Sequence, residues 1–406
     1  MAEQFVVILG ALDTKGPEVE FCREFFRKER IATKVIDTGV LGTAKAAFDV
    51  GRGEVAEAGG KPLEALIEAN HRGEAIEVMG RGVKAILGKM QAEGSLAGVF
   101  GLGGSAGTSM AAAGMQDLPL GVPKIIVSTL ASGNTRPYVG IKDIVLFNSV
   151  VDVAGINQIS RIIFQNAAAA MVGMVKAQKD YPLSQQKEAK VVGMTMFGVT
   201  TTCVMAAKEY LENRGFEVLV FHATGTGGQT MEGLVKDGLI HGVLDITTTE
   251  LADELVGGVL SAGPKRLEIM GELGVPHVIS PGAMDMVNFG GMETIPDQFH
   301  ARKLFKHNPQ VTLMRTNLEE NKELGRIVAE KVNMAPHNRR VIIPCLGFSE
   351  IDRENGPFGD AEADQGFISS LQQYMDAGVP FDLLDLHIND EEFAITAAKA
   401  LEEMMK

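Results

Sequence analysis

The residues best suited to chemistry begin in a short polar turn, Asp13–Gly16, which follows the apolar run Phe5–Leu9. Pro17 comes next, and proline suits the first turn of a helix because its missing N–H would have no partner there. The first N–H groups of a helix lack internal acceptors, and the helix dipole favours negative charge at that end. Lys15 adds a full positive charge. The segment therefore indicates half of a phosphate-binding site.

Two more turns carry glycines and hydroxyl groups. Gly101–Ser109 (GLGGSAGTS) follows the run Leu96–Phe100, and its four glycines allow a ligand to approach the backbone closely. Thr129–Arg136 follows the run Lys124–Ser128, and Asp37, at the end of another run, is suited to accept hydrogen bonds from ribose hydroxyls. In an open parallel sheet, ligands bind beyond the carboxyl ends of the strands. We therefore expect these turns to converge and to hold a phosphate-bearing ligand.

Each turn also has a plainer interpretation by itself. A single glycine-rich turn after a strand often serves packing, Lys15 alone is a solvated charge, and Asp37 alone is a cap or turn residue. Gly101–Ser109 lacks the Gly-Lys-Ser/Thr ending of a Walker A loop, and a dinucleotide fingerprint would follow the first strand of its unit. The combination of three turns is what favours a phosphate-bearing ligand.

The second half of the chain carries a different set of polar residues, with fewer glycine turns of the phosphate-binding type. This composition predicts a pocket for an unidentified small polar molecule. The residues predicted to line it are Thr200, Thr201, His222, Thr248, Asp285, Asn288, Arg315 and Glu350. A divalent metal held by Asp245, Asp285 or Glu350 is an open alternative, because their spacing is not diagnostic. His222, at a strand end, and Cys203, at a helix start, also have structural interpretations.

The elements that must position these residues form an α/β fold. Short apolar runs alternate with helical patterns, as in parallel sheets that helices cover on both faces. With 406 residues the chain exceeds one ordinary core. We expect two Rossmann-like domains, residues 1–180 and 190–406, joined by a polar linker at residues 181–189. The segments Leu120–Ile126 (LGVPKII) and Leu273–Ile279 (LGVPHVI) match, and they predict an internal repeat that relates the two domains.

Three details of this prediction bear on the later description. The first helix should begin at Pro17 and continue to Arg30. Val311–Arg315 should continue the parallel sheet of the second domain. Phe348–Gly359 (FSEIDRENGPFG) is charged, contains glycine and proline, and should form a long loop, which is either a lid or an ordinary exposed loop.

The charge and composition of the chain disfavour some classes of partner. A net charge of -14 disfavours a nucleic-acid-binding protein, which needs a basic face. No segment approaches the roughly 18 consecutive apolar residues of a membrane span, and the first residues show no signal-peptide pattern. The three cysteines form neither a disulfide framework nor a zinc pattern. We therefore expect a cytoplasmic protein with neither nucleic-acid nor membrane partners.

Longer motifs run through nearly the whole chain. They are Ala11–Gly16 (ALDTKG), Gly101–Thr108 (GLGGSAGT), Ser128–Gly133 (STLASG), Ser280–Gly290 (SPGAMDMVNFG), His307–Thr316 (HNPQVTLMRT) and Gly347–Asp360 (GFSEIDRENGPFGD). In this order they resemble the ATP-binding family named for the plant tobamovirus (tomato mosaic virus) resistance protein, which has many uncharacterised bacterial and fungal relatives. The resemblance implies two Rossmann-like domains, ATP with magnesium in the N-terminal one, and self-association into a homo-oligomer.

The turns and the resemblance together give a set of residues expected to contact the nucleotide. They are Asp13, Thr14, Lys15, Gly16, Asp37, Thr38, Gly103, Gly104, Ser105, Gly107, Thr108, Thr129, Ser132 and Gly133. The expected function is that of an ATP-binding protein, and of an ATP-dependent enzyme that acts on a small polar metabolite in the cleft between the domains. One alternative is a non-catalytic nucleotide sensor whose oligomerisation or partner binding ATP controls. The other is an ATP-independent isomerase, lyase or hydrolase that uses the C-terminal domain, and the catalytic residues stay unassigned.

Replacing Lys15 by alanine tests the first turn. If the ammonium group neutralises phosphate charge, Lys15→Ala should weaken the binding of ATP with Mg²⁺ at least about tenfold, or about 1.4 kcal/mol, and leave the fold intact. Titration calorimetry measures the affinity, and circular dichroism checks the fold. An unchanged affinity would remove Lys15 from the site.

Overall fold

The computed structural model describes residues 3–180 and 189–406, and it divides into two compact units, Met1–Gln186 and Lys187–Lys406. Each unit contains an open, parallel sheet that helices flank, which confirms the predicted α/β fold with two Rossmann-like domains. The predicted linker, residues 181–189, lies outside the described residues apart from Ala189. Within the described ranges, no helix combines the length and the apolar character that crossing a bilayer requires.

The sheet of the first unit has five parallel strands in the order β2-β1-β3-β4-β5. They are β1 (Phe5–Gly10), β2 (Thr33–Asp37), β3 (Leu96–Gly103), β4 (Lys124–Ser128) and β5 (Val145–Asn148). The helices are α1 (Leu12–Lys28), α2 (Arg52–Ala58), α3 (Leu63–Ala69), α4 (Arg72–Ala92), α5 (Ser105–Met115), α6 (Arg136–Val139) and α7 (Gln158–Asp180). The order of the strands reverses between β1 and β3, so a crevice opens beyond their carboxyl ends.

The side chains of β1 alternate between the two faces of the sheet, and their contacts show which helices cover each face. Val6 and Ile8 lie in the core with α1 and α7, whereas Val7 and Leu9 lie in the core with α4 and α5. Successive side chains of a strand point to opposite faces, which is why an uninterrupted apolar run serves both cores. As a result, α1 and α5 begin on opposite sides of the crevice.

The first helix begins at Leu12, so the expectation that it begins at Pro17 was wrong. Asp13–Gly16 forms the first turns of α1, and Pro17 lies inside the helix. The reason is a side chain from the next strand: Oδ1 of Asp37 accepts a hydrogen bond from the Leu12 N–H at 3.0 Å. This cap lies 25 residues away in sequence, so no local pattern announces it.

The second unit contains nine strands within residues 189–406. They are β6 (Val191–Met196), β7 (Glu217–His222), β8 (Gly242–Thr247), β9 (His277–Gly282), β10 (Met286–Phe289), β11 (Leu304–Asn308), β12 (Val311–Arg315), β13 (Arg339–Pro344) and β14 (Phe381–Leu384). The main sheet is parallel, with the order β14-β13-β9-β8-β6-β7. Within this sheet, the four strands β7-β6-β8-β9 have the same order as β2-β1-β3-β4 in the first unit. A repeat at the level of sequence stays a prediction.

The remaining strands form a separate antiparallel sheet in the order β10-β12-β11. Val311–Arg315 is its central strand, so the expectation that it continues the parallel sheet was wrong. Only Pro309 and Gln310 separate β11 from β12, and a connection this short joins antiparallel neighbours, whereas parallel ones need a crossover of about a dozen residues or more. The Asn308 side chain closes the turn by accepting a hydrogen bond from the Gln310 N–H at 2.8 Å.

Helices cover both faces of the main sheet of the second unit. They are α8 (Thr201–Glu212), α9 (Thr226–Lys236), α10 (Glu250–Val256), α11 (Ile269–Glu272), α12 (Leu318–Asn333), α13 (Ala361–Tyr374) and α14 (Glu391–Met404). One core joins α8 and α14 to the sheet through residues such as Met194 and Phe393. Another joins α12 and α13 to the opposite face through residues such as Ile279 and Phe367.

Two glycines of α4 make a matched test of packing in the first unit. A Cβ at Gly82 would lie 1.8 Å from the carbonyl oxygen of Val55 in α2, whereas a Cβ at Gly88 would meet nothing within 4 Å. Gly82→Ala should therefore lower the free energy of unfolding by about 1–3 kcal/mol, through overpacking. Gly88→Ala should raise it by about 0.5–1 kcal/mol, because alanine favours a helix interior. Urea denaturation of both variants measures these changes, and equal effects would contradict the close packing of α2 against α4.

Candidate functional site

A cleft of about 410 Å³ lies at the carboxyl edge of the first unit's sheet. Its walls come from the start of α1, from the residues after β2, from α3 and α4, and from α5. The residues that line it are Ala11, Asp13, Thr14, Thr38, Gly39, Val40, Leu41, Leu66, Ile67, Asn70, His71, Arg72, Ala75, Ile76, Ala106 and Met110. Asp13, Thr14 and Thr38 are thus brought together as the sequence predicts.

The first turn of α5 presents unpaired backbone donors beside this cleft. Gly104 precedes the helix and supplies no side-chain cap, and the first intrahelical bond runs from the Thr108 N–H to the Gly104 carbonyl at 2.9 Å. Within the described part of the chain, the N–H groups of Ser105, Ala106 and Gly107 have no hydrogen-bond acceptor. A Cβ at Gly107 would lie 3.1 Å from the Leu102 carbonyl oxygen, so this tight turn favours glycine. Three free donors at a helix N-terminus suit an anion.

The start of α1 is occupied by a carboxylate of the protein itself. Asp37 is 2% exposed, and its Oδ1 accepts hydrogen bonds from the N–H groups of Leu12 at 3.0 Å and Gly39 at 2.9 Å. This geometry confirms the plainer interpretation of Asp37 as a cap, and a contact with ribose stays a prediction. Oδ1 of Asp13 is buried and has no partner within the described residues. A Cβ on Gly39 would be 3.0 Å from Asp13 Oδ1 and 3.1 Å from Asp37 Oδ1, so two carboxylates flank this glycine.

Lys15 and Gly16 are not among the residues that line the cleft. The Lys15 ammonium group donates to the carbonyl of Val153, in the loop after β5. On the same helix, the buried Glu18 accepts a hydrogen bond from the Gly155 N–H at 2.6 Å. Lys15 therefore fastens this loop to α1, and its expected contact with phosphate stays a prediction.

Thr108 and Ser128 connect the other two predicted turns. Their hydroxyl oxygens lie 2.7 Å apart in a buried hydrogen bond, and the Ser128 hydroxyl also accepts from the Leu130 N–H at 2.9 Å. Thr129 Oγ1 lies 3.7 Å from the position of a Cβ on Gly104, so this threonine stands next to the start of α5. Ser132 and Gly133 are exposed at the tip of the same turn.

The sequence analysis missed three polar residues of the cleft, Asn70, His71 and Arg72. They lie where α3 ends and α4 begins, with Asn70 in the left-handed conformation (φ 46°) and the His71 ring accepting from the Glu74 N–H at 3.1 Å. Because this segment belongs to the long crossover between β2 and β3, it lies outside the strand-end turns from which the strand-end rule predicts a site. The polar break Asn70–Arg72 in an otherwise helical pattern was the available signal.

In the second unit, the glycine turn at the start of α9 is filled by side chains of the protein itself. The Glu250 carboxylate accepts hydrogen bonds from the N–H groups of Gly225 at 2.8 Å and Gly228 at 3.1 Å, at the start of α9. Arg266, which is buried, pairs with Glu250 at 2.7 Å and with Asp245 at 2.7 Å. Burial alone would raise the pKa of Asp245, but the Arg266 guanidinium and a hydrogen bond with His277 hold it below its ordinary value.

The eight residues predicted to bind a substrate divide into two groups. Thr200, Thr248, Asp285, Asn288 and Arg315 are buried, whereas Thr201, His222 and Glu350 are exposed. Thr248 donates to the Ser280 carbonyl at 2.9 Å, and Thr200 Oγ1 lies 2.7 Å from Thr247 Oγ1. The buried members thus have partners inside the unit. Their contact with a substrate stays a prediction.

A divalent metal held by Asp245, Asp285 or Glu350 in the second unit stays a prediction. Over residues 3–180 and 189–406, no group of three or more His, Cys, Asp or Glu side chains is arranged to hold a metal ion. Asp245 pairs with Arg266, and Asp285 accepts a hydrogen bond from the Ser349 hydroxyl at 2.8 Å. Cys203 is buried, and burial raises the pKa of its thiol, which confirms its structural interpretation.

Comparison with known proteins assigns both units to one family. Residues 4–180 match the N-terminal domain of the uncharacterised protein family UPF0261, and residues 189–405 match its C-terminal domain. The chain belongs to the UPF0261 family. It is 50% identical over 402 residues to a UPF0261 protein of Clostridium tetani, with 99% of each chain covered. It is 41% identical over 401 residues to one of Rhizobium meliloti, with 98% of each covered.

A plant protein is also similar to this chain. The tomato (Solanum lycopersicum) protein described as ToMV resistance protein Tm-1(GCR237) is 47% identical over 332 residues. That match covers 80% of this chain but only 44% of the tomato protein, so the shared region is less than half of the plant relative.

The family motifs of the second unit lie mainly in its interior. Ser280–Phe289 is buried throughout, and Ala283 within it has a left-handed backbone (φ 57°). A Cβ on Gly282 would approach the Ile246 carbonyl oxygen to 2.2 Å, so this position requires glycine. Arg315 of the second motif reaches Phe358 of the third, and its Nε donates to the Phe358 carbonyl at 2.7 Å. These motifs of the UPF0261 chain therefore meet in a polar interior instead of a cleft.

Asp253 provides a test of this interior through pH. Its carboxylate accepts from the N–H groups of Leu260 and Asn288, both at 3.1 Å, and from the Asn288 side chain at 2.7 Å. Burial nevertheless raises its pKa to about 7. The unfolded chain has a pKa near ~3.9, so the stabilisation from Asp253 is complete below that pH and is lost as the pH rises to about 7.

Asp253→Asn removes this titration. Relative to the wild type, the variant should gain up to about 1.4 kcal/mol of unfolding free energy per pH unit between about pH 5 and pH 7, and the difference should then level off. Urea denaturation at a series of pH values measures it. The exposed Asp297→Asn is the matched control and should show a constant difference. A constant difference for Asp253→Asn would contradict the raised pKa.

Proposed function

We propose that the first unit binds ATP with Mg²⁺ in the cleft beside the start of α5. The observation that carries the proposal is the set of three N–H groups at Ser105, Ala106 and Gly107, which are unpaired within residues 3–180 and 189–406. They lie next to a cleft of about 410 Å³ at the reversal of strand order. Phosphate oxygens supply the acceptors that these donors lack, and the helix dipole favours their charge.

Asp13 makes the cleft suitable for magnesium. Its Oδ1 is buried and has no partner in the described part of the chain, and a Cβ on Gly42 would lie 3.1 Å from its Cβ, so the backbone closes around this side chain. Magnesium is usually held by one or two carboxylates together with phosphate oxygens and water. Asp13 would hold the ion, and the ion would supply the positive charge that lets a triphosphate lie beside Asp13 and Asp37.

The apolar part of the cleft lining suits a purine base. Leu41, Leu66, Ile67, Ile76 and Met110 form it, and Leu41 and Ile67 are 57% and 42% exposed. A flat aromatic ring would cover part of this apolar surface. Small-molecule sites commonly combine an apolar wall with a few polar groups that fix the orientation, and Asn70, His71 and Arg72 would serve that purpose here.

The geometry best supports a protein that binds a nucleotide, with no chemical step assigned to it. Five of the eight residues expected to bind a substrate are buried and bonded within the second unit, which favours the nucleotide-sensing alternative over an enzyme. Under this proposal, ATP would change self-association, and light scattering with and without ATP would detect it. Phosphate release in the presence of ATP, Mg²⁺ and metabolites would instead support the ATP-dependent enzyme. Virus resistance, named for the tomato relative, is not proposed for this chain.

A carboxylate placed at the first turn of α5 tests the site directly. Ala106→Glu puts a negative charge where the phosphates would lie and should weaken the binding of ATP with Mg²⁺ at least about tenfold. The fold should persist, because glutamate is favourable in the first turn of a helix. The matched control is Ala92→Glu, which adds the same charge at the exposed end of α4 and should change the affinity less than about twofold.

Titration calorimetry measures both affinities. No binding of ATP by the wild type would refute the proposal. Equal affinities for the wild type and Ala106→Glu would place the nucleotide elsewhere.

A further inference from the structure

The longest family motif forms a loop, Gly347–Asp360, that two aromatic side chains fix in the second unit. Phe348 and Phe358 are fully buried. The ring centroid of Phe348 lies 5.5 Å from that of Phe367 in α13, and the centroid of Phe358 lies 6.2 Å from that of Phe305 in β11. Between them the backbone is exposed at Arg353, Glu354 and Asn355. We refer to residues 347–360 as the motif loop.

Four buried charged side chains meet beneath the motif loop, and we call them the Arg315 cluster. Arg315 Nη2 lies 2.5 Å from Asp364 Oδ1 in α13 and 3.4 Å from Asp352 Oδ1 in the loop. Asp352 also accepts a hydrogen bond from the Phe348 N–H at 2.9 Å. Asp285, between β9 and β10, accepts from the Ser349 hydroxyl at 2.8 Å, while its second oxygen is buried and has no partner among the residues that the structure describes.

The charges of the cluster do not balance when every carboxyl group is ionised. Three carboxylates then face one guanidinium, and Asp285 and Asp352 are 0% and 1% exposed. Burial raises the pKa of all three carboxyl groups, and their mutual repulsion adds to this for Asp285 and Asp364; the pKa of Asp364 rises to about 7. The neighbouring charged groups are Asp360, next to Asp364, and His387, Arg353 and Asp390, on the Asp352 side. A closed cluster therefore retains protons near neutral pH.

We propose that the Arg315 cluster is a proton-dependent latch that holds the motif loop closed over the carboxyl edge of the second unit. When the loop opens, the carboxyl groups meet water, their ordinary affinity for protons returns, and protons are released. A rise in pH therefore favours opening. The proposal is independent of nucleotide binding in the first unit.

The loop covers the place where ligands bind to an open parallel sheet. The Glu350 N–H donates to the Val199 carbonyl at 2.9 Å, directly before α8, and the Phe348 carbonyl accepts from the Ala283 N–H at 2.8 Å, directly after β9. His387 is hydrogen-bonded through Nε2 to the Ser349 carbonyl at 2.9 Å. Opening the loop would uncover Val199 and Ala283 at the carboxyl ends of β6 and β9, which gives the latch control over access to this edge.

Trypsin provides the test, because Arg353 is the only Lys or Arg residue in the sequence of the motif loop. The rate of cleavage after Arg353 in the whole protein is measured between pH 6 and pH 8. At each pH it is divided by the rate for a synthetic peptide of residues 347–360, which removes the pH dependence of trypsin itself. Cleavage of a transiently open segment follows the population of the open form.

The wild-type normalised rate should rise about tenfold from pH 6 to pH 8, as expected for one carboxyl group with a pKa of about 7 when closed and ~3.9 when open. Asp364→Asn keeps an acceptor for Arg315 and should reduce this rise below about threefold. Glu362→Gln removes a charge from the exposed side of the same helical turn and should keep the wild-type rise. Circular dichroism at each pH confirms that every variant is folded.

Three results would overturn the latch. The first is a normalised wild-type cleavage rate that changes less than twofold between pH 6 and pH 8, and the second is a full tenfold rise of this rate in Asp364→Asn. The third is a rise in Glu362→Gln that is as small as the rise in Asp364→Asn. If Asp364→Asn does not fold, Asp352→Asn is used, with the same expected loss of the rise and the same contradicting result.

Discussion

Backbone N–H groups at the starts of helices need acceptors, and this requirement organises both units of the chain. Parallel strands deliver most of their helices to one edge of each sheet, so several sets of such donors lie close together there. The protein meets the requirement with its own side chains at most of these positions. Asp37 serves α1, Glu250 serves α9, Asn317 serves α12 and Asp360 serves α13. The start of α5 belongs to the minority without such a cap within the described residues, as do the starts of α10 and α14, and it is the one of these three that lies beside the cleft of the first unit.

The same requirement explains why the second unit buries so many charges. A carboxylate that accepts from helix N–H groups must leave water, and it then needs a cation beside it. Arg266 supplies that cation for Glu250, and Arg315 pairs with two further buried carboxylates, Asp352 and Asp364. The glycine turns at the starts of α5 and α9 thus differ in physical character. The first leaves its donors unpaired within the described residues, and the second pairs them with Glu250, which Arg266 holds.

Local sequence patterns were sufficient to predict most of the fold but little of the candidate site. The bounds of β2 and β4 follow from their apolar residues alone, and the turns after β1 and β3 lie at the crevice, as the strand-end rule requires. The start of α1 depends on Asp37, and the burial of Arg315 depends on Asp364, which lies 49 residues further along the chain. Hydrogen bonds over such separations leave no periodic signal in sequence. The hydrogen bond of Lys15 could not be predicted for the same reason, since its partner Val153 lies 138 residues away.

One small contact at the start of α8 has a consequence for how the chain folds during synthesis. Asn389 accepts a hydrogen bond from the Cys203 N–H at 3.2 Å and donates to the Val199 carbonyl at 2.9 Å, so a residue just before α14 completes the start of α8. The partners are separated by 186 residues. A ribosome must therefore deliver almost the entire second unit before its first helix is finished, whereas the start of α1 is complete as soon as β2 has emerged. The second unit consequently spends longer as an incomplete chain with exposed apolar strands, the stage at which chaperones matter most.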